Sequence, residues 1–254
     1  MKAVIHPSAW VATDTKLGDG VVVGPCAIIG EHVEIGDGCQ IGAHAVIQPG
    51  VRLGRKNIVH PGAVIGGLPQ DLSFNPETES WVETGDDNVF REGVTVSRAT
   101  RPGGATTLGS HCYLMANAHV GHDCRVGDHV IFANSVALGG HVQVGDRVFF
   151  GGGAVVHQFC RVGSYVILHG LAGASMDILP FMMVAECPAK HYRLNLIGLR
   201  RAGVDGERLK AVSAAMRRLR CRESLEGLPA TPELEYLAGW LKAESKRGRA
   251  GWAA

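Results

Sequence analysis

The sequence contains few aromatic residues, little excess charge and no long apolar run. Aromatic residues make up 6% of the 254 residues and the formal net charge is +1, so the overall charge does not indicate a nucleic-acid partner. No apolar run approaches the ~20 residues of a membrane-spanning helix, and the N-terminal MKAVIHPSAW lacks an apolar segment of signal-peptide length. We therefore expect a soluble, cytoplasmic protein without stable membrane insertion.

The seven cysteines are an odd number and show no regular pairing. This argues against a disulfide framework and predicts free thiols in a reducing compartment. Four of them occupy the same small position of the repeat described next, which favours core packing over redox or metal roles: Cys39, Cys112, Cys124 and Cys160.

Glycine is abundant, with 35 residues, and it marks a six-residue period. Steps of six from Ile5 to Ile65, and again from Leu108 to Leu168, reach an apolar residue every time, and glycine follows it in 7 of 11 hexads of each run. Such a unit is one short strand with an inward apolar side chain, followed by a tight turn. Three units close a triangular coil of about eighteen residues, and stacked coils bury one apolar column.

Polar stretches interrupt the repeat at 67–80 and at 97–107. Insertions in solenoid proteins usually form loops on one face, often the binding face. The segment between them corresponds to roughly one more coil, and the hexads end near Ala174. We therefore predict a β-helix domain over 1–190 and a C-terminal helical domain over 191–254.

The C-terminal region has helical spacing over 207–221. A second helix should begin with Thr231 as its N-cap and Pro232 at its first position. Between 190 and 222 there are ten Lys or Arg residues against two acids. This surface is either a solvated helix face or a docking surface for an acidic partner, and the sequence leaves both interpretations open.

The segment NAHVGHDC places His119 and His122 three residues apart, with Asp123 directly after the second. His141 follows His122 by nineteen residues and His157 follows His141 by sixteen, so three histidines should line one edge of the prism on successive coils. Asp123 could fix the tautomer of His122 and stabilise its protonated form. The other histidines should be turn or surface residues, with the border of a pocket as the alternative for His169: His6, His32, His44, His60, His111, His129, His169 and His191.

Two chemistries fit this histidine set, and a non-catalytic binding or scaffolding β-helix is a third possibility. Free histidine has a pKa of about 6.5, so His122 could be a general base that deprotonates a hydroxyl. The histidines could instead bind a metal, as in hydratases built on the same β-helix, the γ-class carbonic anhydrases. Spacing alone does not exclude the metal.

The segments NAHVGHDCRVGDHVIFANSVALGGHV and GGGAVVHQFCRVG, with IGGLPQDL and LRRAG, resemble the acyl-ACP–UDP-N-acetylglucosamine O-acyltransferases of lipid A synthesis. The resemblance covers most of the chain and implies an all-β, left-handed parallel β-helix with a C-terminal α-helical region. Handedness comes only from the resemblance, since parallel crossovers are generally right-handed. It also implies a homotrimer with active sites between neighbouring prisms, and neither metal nor other cofactor.

The implied reaction moves an (R)-3-hydroxyacyl chain from acyl carrier protein to the 3-position of UDP-N-acetylglucosamine, the first step of lipid A biosynthesis. By the matching motifs, His122 would be the general base, Asp123 would support it, and the Gly140 N–H would stabilise the thioester oxyanion. Other side chains would line the sugar and acyl cleft: His119, His141, His157 and Gln158.

The remaining roles implied by the resemblance concern recognition. Asp71 would hold the sugar near the base, while Asn195 and Arg201 would contact the nucleotide, with Arg201 suited to phosphate. Gly170 falls where the family measures acyl length, and glycine there leaves room for a long chain. The basic tail would suit an acidic carrier protein.

The sequence departs from the family pattern mainly on the nucleotide side. Ser73 replaces a lysine, Pro188 an asparagine and Arg193 a glycine. Ile197 stands where glutamate is frequent, and Ala202 replaces the second of two arginines. We therefore expect the chemistry to be retained and leave three acceptors open: the usual UDP-sugar, its 3-amino analogue, or a different nucleotide sugar.

Overall fold

The computed structural model describes residues 2–253, which form 28 short strands and three helices. The strands are β1 (Val4–Ile5), β2 (Trp10–Val11), β3 (Lys16–Leu17), β4 (Val22–Val23), β5 (Ile28–Ile29), β6 (Glu34–Ile35), β7 (Gln40–Ile41), β8 (Val46–Ile47), β9 (Val51–Leu53), β10 (Ile58–Val59), β11 (Val64–Gly67), β12 (Trp81–Thr84), β13 (Val89–Phe90), β14 (Thr95–Ser97), β15 (Ala105–Leu108), β16 (Tyr113–Leu114), β17 (His119–Val120), β18 (Arg125–Val126), β19 (Ile131–Phe132), β20 (Ala137–Leu138), β21 (Gln143–Val144), β22 (Phe149–Phe150), β23 (Val155–Val156), β24 (Arg161–Val162), β25 (Ile167–Leu168), β26 (Gly173–Ala174), β27 (Met182–Ala185) and β28 (Lys190–Leu194). The helices are α1 (Leu196–Arg201), α2 (Gly206–Cys221) and α3 (Pro232–Lys242).

The strands form three sheets in which every third strand pairs in parallel; the exceptions are the parallel pair β25–β27 and the antiparallel pair β27–β28 at the end of sheet A. Sheet A begins with β1, β4 and β7, sheet B with β2, β5 and β8, and sheet C with β3, β6 and β9. Partners are eighteen residues apart, as in His119 and Ala137, except across the two insertions and in the pair β25–β27, where Ile167 pairs with Met183. This is the left-handed parallel β-helix that the hexads and the family resemblance predicted.

The core is one continuous column of inward side chains. Phe90, Phe132 and Phe150 are fully buried in sheet A, and the last two, on successive coils, stack with ring centroids 5.0 Å apart. Each such burial contributes roughly 1.5–3 kcal/mol, which explains how a chain with few aromatics can be stable.

The four repeat cysteines are buried in this column, as predicted. Burial raises the pKa of the Cys112 and Cys160 thiols to about 11 and that of Cys124 to about 12. Thiols with these pKa values stay protonated and unreactive.

The outward faces of the three sheets differ. Sheets A and B expose large apolar side chains: Val4, Trp10, Val22, Ile28, Phe149 and Val155. Sheet C carries charged pairs instead, such as Lys16 with Glu34 at 2.7 Å and Arg52 with Glu83 at 2.6 Å. The prism therefore has two apolar faces and one polar face.

The two insertions are loops, although shorter than predicted, because β11, β14 and β15 extend into them. They cover 68–80 and 98–104, with one coil between them as expected. The loops contact one another: the Arg98 guanidinium lies over the Phe74 ring at 5.4 Å and donates to the Pro76 carbonyl at 2.8 Å.

The C-terminal helices α2 and α3 were predicted, including the Thr231 hydroxyl that accepts the Leu234 N–H. The antiparallel hairpin β27–β28 and helix α1 were not predicted, and β28 straddles the proposed 190/191 boundary. In the part of the chain that the structure describes, no helix has the length and apolar character needed to cross a membrane.

His191 contradicts the prediction that the isolated histidines are turn or surface residues. It lies in β28 and is fully buried. Its Nε2 accepts the Leu179 N–H at 2.9 Å, so its Nδ1–H donates to the Gly251 carbonyl at 3.1 Å. Both ring nitrogens are paired with backbone, which makes the burial tolerable.

Candidate active site

The predicted catalytic residues meet at the corner between sheets B and C, where successive turns stack. His122 Nδ1 lies 2.8 Å from Asp123 Oδ2. The same oxygen accepts the Thr100 N–H at 3.1 Å and the Thr100 hydroxyl at 2.7 Å, from the 98–104 loop. Asp123 is itself fixed by its backbone N–H, which donates to Thr106 Oγ1 at 2.8 Å.

Asp123 is an ionised acceptor in this arrangement. Burial alone raises its pKa, but the hydrogen bonds from His122 and Thr100 outweigh burial and place the pKa below its ordinary value. An ionised carboxylate can only accept, so the His122 proton resides on Nδ1. Nε2 is then left with a lone pair that can take a proton from a bound hydroxyl.

His141 and His119 flank His122. The His141 ring meets the His122 ring edge-on with centroids 5.1 Å apart, and its Nε2 is 3.7 Å from Asp123 Oδ2. His119 Nδ1 is 2.7 Å from Thr95 Oγ1. Burial lowers the pKa of both His119 and His141, so they are neutral at pH 7 and can exchange hydrogen bonds with a polar substrate.

The predicted histidine row is only partly formed. Asp123, His141 and Phe159 occupy equivalent left-handed turn positions, with φ of 57°, 60° and 67°. Phe159, not His157, therefore stacks on His141, at 4.6 Å. His157 lies two residues earlier, is exposed, and faces the sheet B side of the corner. The coil repeats every eighteen residues, so a spacing of sixteen shifts the residue around the corner.

Gly140 lies directly against the His122 ring. A Cβ at this position would be 2.4 Å from His122 Cε1 and 2.5 Å from Nε2. Within residues 2–253, no backbone acceptor pairs with the Gly140 N–H, and the residue is buried. An unpaired, buried donor beside a base is a suitable oxyanion donor.

A groove of about 410 Å³ runs along the sheet B side of the corner. His119, His122, His157, Gln158 and Gly140 line it, as the resemblance implied, together with Gln70 and Val155.

Asp71 lies close to this groove, one residue after Gln70. Hydrogen bonds from the Ser73 backbone and hydroxyl lower the pKa of Asp71, with smaller contributions from the nearby His122 and His141. Ser73, which stands in place of the family's lysine, thus positions Asp71 through bonds of 2.9 and 2.8 Å.

Three predicted site residues lie at other corners of the same chain. Gly170 is in a turn between sheets A and B, where an added Cβ would be 3.3 Å from the Gly152 carbonyl. Asn195 packs at the corner between sheets C and A: its Nδ2 donates to the Tyr165 carbonyl at 2.8 Å, and its Oδ1 caps α1 at Gly198. Arg201 is exposed at the end of α1. One chain alone therefore does not bring all predicted residues together.

Thr95, Thr100 and Phe159 were missed by the sequence analysis. A strict eighteen-residue register counted from His141 would have found Phe159. Thr100 lies in an insertion with no periodicity, so no sequence signal placed it next to Asp123.

The corner geometry is compatible with either proton transfer or metal binding. Ligand atoms of His122, Asp123 and His141 lie within 4.8 Å of one another, and no other group of this kind was found in residues 2–253.

Comparisons with known proteins show the family to which the chain belongs. The family model described as UDP N-acetylglucosamine O-acyltransferase, domain 2, matches residues 177–250. The bacterial transferase hexapeptide model matches 32–67 and 105–140. An acyl-[acyl-carrier-protein]–UDP-N-acetylglucosamine O-acyltransferase from Alkalilimnicola ehrlichii is 42% identical over 255 residues, or 96% of each chain. The corresponding protein from Syntrophobacter fumaroxidans is 46% identical over 84% of this chain and 83% of its own.

Solved structures give the same result. A UDP-N-acetylglucosamine acyltransferase from Bacteroides fragilis has a TM-score of 0.91 and 36% identity, with 97% of this chain and 99% of that chain covered. A UDP-N-acetylglucosamine O-acyltransferase from Moraxella catarrhalis has a TM-score of 0.89 and 33% identity, with 98% and 100% covered.

Proposed function

Because the chain belongs to the family of acyl-ACP–UDP-N-acetylglucosamine O-acyltransferases, we propose that the His122 corner carries out acyl transfer by general-base catalysis. Membership assigns transfer from acyl carrier protein to UDP-N-acetylglucosamine, in lipid A biosynthesis. We take the group to be an (R)-3-hydroxyacyl chain and the acceptor atom to be the sugar 3-oxygen, in the first step of that pathway.

The observation that carries the mechanism is the His122–Asp123 hydrogen bond, which places the proton of the neutral ring on Nδ1 and its lone pair on Nε2, at the groove. Nε2 removes the proton of the sugar hydroxyl while its oxygen attacks the thioester carbonyl carbon. The resulting oxyanion accepts the Gly140 N–H. The C–S bond then breaks, and the carrier thiolate takes the proton back from His122. Asp123 stabilises the imidazolium that exists between these steps.

The other groove residues bind rather than react. His119, His157 and Gln158, with His141 beside the groove, offer polar groups to the sugar and the acyl head, and Asp71 offers a carboxylate to a sugar hydroxyl. None of these steps requires a metal, so turnover should persist after treatment with a chelator, whereas a metal-dependent hydratase would lose activity.

A homotrimer would complete the site. The apolar outward faces of sheets A and B need a partner. If the three-fold axis runs beside the corner between sheets A and B of every subunit, sheet A of one subunit packs against sheet B of its neighbour. The cleft would open outwards between the His122 corner of one subunit and the Asn195 corner of the next. Gly170 would lie near the axis, where an acyl chain entering from His122 ends.

A mass-spectrometric assay tests the function directly. It offers a ladder of 3-hydroxyacyl carrier proteins to UDP-N-acetylglucosamine and to its 3-amino analogue, with His122→Ala as control. We expect one acylated UDP-sugar series, with turnover lower by roughly 10²–10⁴-fold in the control and an unchanged circular dichroism spectrum.

Two outcomes would contradict the proposal. Near-normal turnover in His122→Ala would show that His122 is not the general base. The absence of product from either acceptor would mean that the substitutions on the nucleotide side, such as Ile197 and Ala202, have changed the acceptor altogether. Product from the amino analogue alone would identify the acceptor while leaving the mechanism intact.

A further inference from the structure

A second groove, of about 440 Å³, lies on the other side of the same corner, over sheet C. Asp123 and His141 form its inner wall, so it adjoins the catalytic pair. Its remaining polar lining is mainly cationic: Arg101, Arg125, Gln143, Arg161 and Lys246. We call it the sheet C groove.

Three of the four cations of the sheet C groove have no carboxylate partner in the described residues, while the fourth, Arg161, is paired with Asp177. Among the residues that the structure describes, Arg101, Arg125 and Lys246 form no salt bridge. The acids available are Asp123, already bonded to His122 and Thr100, and Glu244 at the rim. Three unpaired cations around one concavity create a positive potential that attracts an anion.

The outer wall of the groove is firmly anchored. Arg161 is buried and donates to Asp177 Oδ2 at 2.7 Å and to the Trp240 carbonyl at 3.0 Å, while the Asp177 N–H donates to Gly248 at 2.7 Å. These bonds fix the chain after α3 across sheet C. Lys246 Nζ is thereby held 4.8 Å over the Phe159 ring, which stacks on His141.

Both substrates of the proposed reaction carry an anion of the required kind. The UDP-sugar has a diphosphate, and the carrier presents its acyl chain on a phosphopantetheine arm. Resting on the proposed function, we propose that the sheet C groove binds a substrate phosphate, with Arg125 and Lys246 as its main donors. Arginine binds phosphate through paired N–H groups and lysine through a point charge.

The test compares Arg125→Gln and Lys246→Gln with a matched control, Lys56→Gln. Lys56 is an exposed lysine in a turn at another corner, so the control removes the same charge without touching the groove. Binding of UDP, and separately of phosphopantetheine, is titrated by calorimetry at two salt concentrations. Steady-state KM values are measured for UDP-N-acetylglucosamine, 3-hydroxyacyl-phosphopantetheine and 3-hydroxyacyl-pantetheine.

The two sources of phosphate give different results. If the groove holds the diphosphate, both groove variants weaken UDP binding and raise the sugar-nucleotide KM by roughly 10-fold or more. If the groove holds the pantetheine phosphate, both groove variants raise the KM for acyl-phosphopantetheine by the same factor and leave the KM for acyl-pantetheine unchanged. A higher salt concentration should weaken binding of the phosphate ligand to the wild-type protein more than to the groove variants.

The proposal is overturned if both groove variants stay within twofold of Lys56→Gln in every arm. Failure of the proposed function is distinguishable, since it would abolish turnover of the wild-type protein with all donors. The two titrations would still show whether the groove binds phosphate.

Discussion

At the scale of single residues, one carboxylate oxygen organises the site. Asp123 Oδ2 accepts from His122 and twice from Thr100, and it lies near His141. Because it is saturated with donors, the carboxylate stays ionised and keeps His122 in one tautomer. We therefore predict that Thr100 is a positioning residue, through which the 98–104 loop supports His122.

Gly140→Ala should abolish most activity with little loss of stability. The added Cβ would overlap the His122 ring, which must swing away from its Asp123 partner and from the groove. We expect kcat to fall by roughly 10²-fold or more, measured by the acyl-transfer assay, with thermal unfolding near that of the wild type.

Gly152→Ala is the matched control for this prediction. Gly152 lies in a turn of a different corner, and its added Cβ meets only the Asn134 carbonyl, at an ordinary 3.6 Å. Equal activity in the two variants would show that contact with His122 is not what requires glycine at position 140.

Residue spacing correctly brought His122, Asp123 and His141 together, but it misplaced His157 and missed Thr100. The adjacency of His122 and Asp123 needed only the local sequence, and the nineteen-residue step to His141 matched the coil closely enough. The sixteen-residue step placed His157 on the wrong side of the turn, because a shift of two residues passes around the corner. Loop contacts such as that of Thr100 carry no periodic signal at all.

At the scale of elements, the six-residue period determines what can be predicted. Each strand inside the coils has an inward apolar residue enforced by stacking, so the pattern is strong. The hairpin β27–β28 and helix α1 cap the open end of the prism and pack by tertiary contacts, such as Asn195 with Tyr165. Their short, irregular sequences lack any repeat, which explains why only α2 and α3, with amphipathic spacing and an N-cap, were predicted.

Gly170→Met should shift the preference of the enzyme towards shorter acyl chains. The turn can accept a side chain, since the added Cβ is close only to the Gly152 carbonyl, at 3.3 Å, and Met would occupy space that a long chain needs. The measurement is kcat/KM across the ladder of 3-hydroxyacyl carrier proteins. An unchanged profile with normal activity would show that Gly170 does not limit chain length.

The C-terminal segment that pairs with β28 should be sensitive to acid through His191. Burial lowers the pKa of His191 to about 4, whereas an unfolded histidine titrates near 6.5. The unfolded chain therefore binds the extra proton first, and stability falls as pH drops from about 6.5 to 4, by at most about 3 kcal/mol.

The comparison that isolates this effect is wild type against His191→Gln, in thermal unfolding at fixed protein concentration. Glutamine can replace both hydrogen bonds to Leu179 and Gly251 but does not titrate. The stability advantage of the wild type at pH 7 should shrink by pH 4. A constant difference across this range would assign the acid sensitivity to other groups.

At the scale of the whole molecule, the catalytic and the recognition residues are divided among three corners of the prism. His122 belongs to the corner between sheets B and C, Asn195 and Arg201 to that between C and A, and Gly170 to that between A and B. One chain alone does not bring them together, whereas the proposed trimer with opposed A and B faces would do so at three interfaces. The polar sheet C would then face outward, and its groove would stay open to charged substrates.

This division predicts that two inactive variants restore each other's activity. His122→Ala lacks the base and Arg201→Ala lacks the proposed nucleotide contact, but in a mixed trimer one interface can combine an intact His122 with a neighbour's intact Arg201. Every mixed trimer contains two copies of one variant and one of the other, so only one of its three interfaces is rebuilt, and about a third of the sites should be active after selection for mixed trimers. The two chains are co-expressed with different tags, purified through both, and assayed for acyl transfer.

The control is a mixture of two variants of the same corner, His122→Ala with Asp123→Asn, in which no interface regains a complete catalytic pair. Activity must then stay at the level of the better single variant, because both residues act within one subunit. Recovery in the first mixture and not in the second places His122 and Arg201 in one site from different chains. If neither mixture recovers activity although mixed trimers form, the nucleotide is bound within a single subunit and the proposed arrangement of faces is wrong.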